Sequence, residues 1–134
     1  MTESSTPSKS FKIVHWGAIV FLFLMLAQPT FSNISALFSG ELAMGDLTIE
    51  VTLSQMALHI LAMIIGWVGF LWFVKRQKRG AYLSIAAHLL GFVAVLTQTP
   101  DMLDAMPQAA LVGFFVLLFA IALGPIFAFK SEYS

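Results

Sequence analysis

The chain contains no cysteine. That excludes a disulfide framework, a thiolate nucleophile, an iron–sulfur cluster and a thiolate metal site, and it leaves the redox compartment unmarked. Charge is almost as scarce: 10% of the 134 residues are Asp, Glu, Lys or Arg, against about a quarter in a soluble domain. None of these charges falls inside a long apolar run, so the mid-depth carboxylate or arginine of a proton-coupled carrier is missing. There is no phosphate loop, no HExxH and no Ser/His/Asp order for nucleophilic catalysis. Seven basic residues balance seven acidic ones, which excludes a basic nucleic-acid-binding surface. What remains is apolar: 59% hydrophobic residues and a mean hydropathy of +0.89. Water is not the solvent for most of this surface.

The stretch Glu50–Arg79 organises the rest. An apolar run from Val51 to Val74 stops at Lys75-Arg76-Gln77-Lys78-Arg79. Its length as a helix, about 36 Å, is enough to cross a hydrocarbon core of about 30 Å with some tilt. Three further runs complete a four-helix transmembrane bundle, with spans expected at about 13–31, 50–74, 80–97 and 107–129 inside one domain, residues 11–130. Residues 1–10 are small and polar and read as a disordered tail; residues 131–134 read as a second short tail. Lys9 and Lys12 before Ile13–Ala27 also suit a cleaved signal, but no small-x-small site follows. Pro29 is expected to end the first span. In the loop Thr30–Glu50, Ile34, Leu37, Phe38 and Leu42 recur at helical spacing, which predicts a short helix in the membrane interface. Asp46 is a candidate N-cap for the second span.

Charge sets the topology. Lys9, Lys12, Lys75, Arg76, Lys78, Arg79 and Lys130 fall on one side of a four-span arrangement, and Glu41, Asp46, Glu50, Asp101 and Asp104 on the other. The positive-inside rule then places both termini in the cytoplasm of a cell whose inner membrane holds the protein.

The candidate chemistry rests on three histidines, His15, His59 and His88, all on expected spans. An ionisable group within a bilayer is costly enough to raise a functional question. Thr52, Gln55, His59, Met63 and Gly66 form one helical stripe, and Ser84, His88, Gly91, Val95 and Gln98 another. Polar and small residues on a shared face turn toward other helices, so the stripes are expected to face each other. Counting from the basic ends, His59 lies about 24 Å deep and His88 about 13 Å, a mismatch of about 10 Å for two ligands of one haem. As packing groups, the same imidazoles would hydrogen-bond across helices, each contributing about 0.6–2 kcal/mol.

Lys12-Ile13-Val14-His15-Trp16, with His59 on a second helix that ends in bases, resembles the start of the bacterial b561-type cytochromes. The resemblance covers two spans and implies b-type haem held by histidines. The fourth helix of that family supplies further ligands, whereas Ala109–Phe129 has no histidine. The leading expectation is therefore a non-catalytic accessory, assembly or scaffolding subunit that partners the bilayer and another membrane protein, or itself. The alternatives are a haem- or quinone-binding electron-transfer protein using His59, His88 and His15, and a small channel or carrier with a polar path through Thr52, Gln55, His59, Ser84, His88 and Gln98.

Overall fold

A computed structural model of the chain describes residues 8–44, 47–98, 104 and 107–134. The elements run α1 (Lys9–Ser39), β1 (Glu41–Met44), β2 (Leu47–Glu50), α2 (Leu53–Val74), α3 (Lys78–Gln98) and α4 (Gln108–Ala128), then one 3-10 turn (Lys130–Glu132). All four helices are long and apolar enough to cross a membrane. Asp46, Asp101 and the tail 1–7 lie outside the described residues.

Helix α1 corrects two expectations. Pro29 does not end it: the helix runs on to Ser39, where Gly40 takes a left-handed cap (φ 75°) and donates to Ala36 O at 2.8 Å. The residues expected to form a separate interfacial helix, Ile34–Phe38, are the last turns of α1. Inward-facing residues explain the continuity, since Leu22 and Leu26 before the proline and Asn33 and Ala36 after it are all buried. Pro29 is itself exposed, and neighbouring helices compensate a single lost backbone bond within a membrane. At ~1.5 Å per residue α1 is about 46 Å long, so it outruns a hydrocarbon core of ~30 Å.

The rest of the expected loop is a two-stranded antiparallel hairpin. Glu41 pairs with Glu50, Leu42 with Ile49, Ala43 with Thr48 and Met44 with Leu47. Val51 N donates to Gly40 O at 2.9 Å and closes its base. Helix α2 then starts from a capping box: Thr52 Oγ1 accepts from Gln55 N, and Thr52 N donates to Gln55 Oε1 at 2.8 Å.

Helices α2 and α3 form an antiparallel pair joined by a turn of three residues, in which Arg76 takes φ +60°. Small residues bring them together. A methyl group at Gly66 would lie 3.4 Å from Ala87 Cβ, one at Gly69 would lie 2.8 Å from Ser84 N, and one at Gly91 would lie 3.9 Å from Ala62 Cβ. This is the close backbone approach that small residues allow between membrane helices, and it includes Gly69 of α2 and Gly80 of α3. Helix α1 lies along α2, with Leu26 over Gly66 and Trp67 Nε1 donating to Thr30 Oγ1 at 2.9 Å. Helix α4 completes the bundle through Phe115 on Phe92, and Phe129, which caps it, packs on Phe11, with ring centroids 5.5 Å apart in both pairs. Phe11, Leu22, Phe73, Ile85, Leu118 and Ala122 belong to the main core.

Candidate functional site

The antiparallel order brings the starts of α1 and α3 and the ends of α2 and α4 to one end of the molecule. Seven basic side chains gather there. The centre of that end is closed by the last residues of the chain. Tyr133 is buried against Phe11, His15 and Phe73, with ring centroids 5.4–5.7 Å away. Its phenol oxygen lies 2.6 Å from His15 Nδ1. Below it, Ser134 N donates to Arg76 O at 2.9 Å, Lys78 N donates to Ser134 O at 2.8 Å, and Arg76 meets Glu132 at 3.4 Å. Burial pushes the Tyr133 hydroxyl up to about 12, because a phenolate there would lose its hydration; the nearby Arg76 charge opposes this only in part. The residues read from sequence as a short tail clasp the α2–α3 turn.

His15 is part of this closure. Its ring stacks between Phe11 and Phe73 at 5.2 and 5.3 Å. His88 is half-buried on α3, where Nδ1 donates to Ser84 O at 2.7 Å and the ring lies 6.1 Å from Phe114 of α4. His59 is buried on α2, one turn inside the Ala36–Met56 contact, and Asn33 is buried one turn inside it on α1. His15 is level with Phe73, His88 adjoins Ala87 opposite Gly66, and His59 lies seven residues further along α2. Steps of seven residues put the three imidazoles at levels about 10 Å apart. No two of them face each other across one haem plane.

The two polar stripes meet only in part. Gly66, Ser84 and Gly91 lie in the α2–α3 seam. Thr52 and Gln55 are exposed and cap the start of α2, and Gln98 is the last residue of α3. Ser84 is wholly buried, and neither its Oγ nor His88 Nε2 has a hydrogen-bond partner among the described residues. Among those residues, no group of three His, Asp or Glu gathers as a metal site.

Sequence reasoning missed the Tyr133 clasp, the Trp67–Thr30 bond and the Gly69–Gly80 contact. The first two are long-range pairings with no local signature. The third was available from the glycines flanking a short turn. The chain matches no family model, no curated protein and no solved structure.

Proposed function

We propose that this chain is a non-catalytic accessory or scaffolding subunit of a membrane complex, seated in an inner membrane with both termini in the cytoplasm. The orientation rests on the bases gathered at one end, opposite Glu41, Glu50 and Asp104. The observation that carries the role is the internal use of the polar groups. His15 serves the Tyr133 clasp, Trp67 ties α2 to α1, Thr97 Oγ1 donates to Ala94 O, and His88 bonds its own helix. The first two bonds tie separate elements together, and the last two satisfy polar groups within α3 itself.

The face offered to a partner helix is the outer side of α4. Gly113, Leu117, Ala120 and Gly124 recur there at i, i+4, i+7 and i+11 and are all exposed, and a methyl group at Gly113 or Gly124 would meet nothing within 4 Å. Such a row permits close approach of a second helix. The double variant Gly113→Ile/Gly124→Ile fills that space without touching the bundle. Its thermal stability in detergent should match the parent, while association with a second membrane chain, or with another copy, should be lost in sedimentation. A parent chain that sediments as a lone monomer in mild detergent and in native membrane extracts would remove the proposal.

A further inference from the structure

At the basic end one described acidic side chain, Glu132, is engaged by Arg76. Lys9, Lys12, Lys75, Arg79 and Lys130 are exposed. Arg79 differs from the others in being held. Its guanidinium carbon sits 3.8 Å from the centroid of the Trp72 ring, and its Nε donates to Gln77 Oε1 at 2.8 Å. The stack and the Nε bond fix the plane of the fork. The two terminal nitrogens have no hydrogen-bond partner among the described residues. Lys75 and Lys78 flank the same turn, and Tyr82, 56% exposed, follows Arg79 by one turn of α3.

We propose that the α2–α3 turn binds the headgroup phosphodiester of an anionic phospholipid, with the terminal nitrogens of Arg79 on two phosphate oxygens and Lys75 and Lys78 as supporting charges. A flat, oriented guanidinium suits bidentate phosphate recognition. Depth selects the lipid. Trp72 and Tyr82 mark the level where aromatic rings prefer the membrane interface, which is also the level of lipid phosphates. The turn itself is only Lys75–Gln77, too short to project toward a soluble acidic partner.

The test uses the full chain in neutral detergent, titrated with phosphatidylglycerol or phosphatidylcholine, with bound lipid counted by native mass spectrometry and unfolding followed by thermal shift. Phosphatidylglycerol should be retained and should raise the midpoint, and phosphatidylcholine should do neither. Arg79→Gln should weaken phosphatidylglycerol binding about tenfold, and Arg79→Lys, which keeps the charge but loses the fork, about fivefold. Trp72→Leu keeps every charge yet releases the guanidinium, and it should also cost about fivefold. Lys9→Gln removes the same charge from the same end and should cost less than about threefold. Equal losses in Arg79→Gln and Lys9→Gln would reduce the site to a diffuse field and overturn the proposal. Equal retention of the two lipids would overturn it too, as would displacement of phosphatidylglycerol by inorganic phosphate at matched concentration.

Discussion

Replacing Gly80 with alanine adds one methyl group at the tightest point of the α2–α3 seam. That methyl would strike the backbone nitrogen of Phe73 and would lie 2.6 Å from Gly69 O and 2.7 Å from Trp72 C. All three are backbone atoms, so no side chain can rotate away. Restoring an ordinary contact of about 3.5 Å requires the helices to part locally by more than about 0.9 Å. A radial gap of about 0.5–1 Å forfeits about a quarter to a half of each dispersion well along the parted surface. Overpacking a well-packed core costs about 1–3 kcal/mol, and opposition by three backbone atoms of α2 places Gly80→Ala near the top of that range, about 3 kcal/mol. The assay is reversible unfolding in mixed micelles, with Gly17→Ala and Gly113→Ala as controls because a methyl group at either meets nothing within 4 Å. Those controls should stay within about 0.5 kcal/mol of the parent. If Gly80→Ala did the same, or if Gly113→Ala were equally harmful, the reasoning about the seam would be refuted.

Tyr133→Phe keeps the ring contacts but removes the hydroxyl 2.6 Å from buried His15 Nδ1, and it should cost about 1–3 kcal/mol in the same unfolding assay. The Tyr133 hydroxyl is pushed up to about 12 in the fold from its ordinary 10.0. Its contribution is therefore fully present below pH 10 and lost as pH rises through about 12, and that loss should be absent in Tyr133→Phe. Ser84→Ala removes a buried hydroxyl that has no partner among the described residues, so it should leave stability unchanged or raise it by up to about 1 kcal/mol. Levels about 10 Å apart for His15, His88 and His59 give a reduced-minus-oxidised spectrum without a haem α-band when the protein is expressed with haem supply. A band that vanished in His59→Ala or His88→Ala would contradict that placement.

The four spans were legible because uninterrupted apolar runs bounded by charges leave a helix in lipid as the one economical reading. Their ends were less so. At Pro29 the rule that proline stops a helix gave way to the inward-facing series Leu22, Leu26, Asn33 and Ala36, whose burial continues across it. The helical spacing of Ile34, Leu37 and Phe38 was recognised, but their continuity with the first span was not. Residues 41–50 carried a turn signal that went unused, Gly45-Asp46 ahead of the strand formers Thr48 and Ile49, although Glu41, Leu42, Ala43 and Met44 favour helix. The depth count that set His59 apart from His88 used only the rise per residue, which needs no tertiary knowledge. The Tyr133–His15 pair joins residues 118 positions apart, and no local pattern in a polar tail announces such a contact.

The most direct test of the proposed role places a photo-crosslinking residue at Leu117, which is exposed on the outer face of α4, in the intact membrane. A second chain on that face should give a discrete protein adduct, and the adduct should disappear in the Gly113→Ile/Gly124→Ile background. Adducts to lipid alone, with the parent and the double variant indistinguishable, would contradict a subunit that docks through α4.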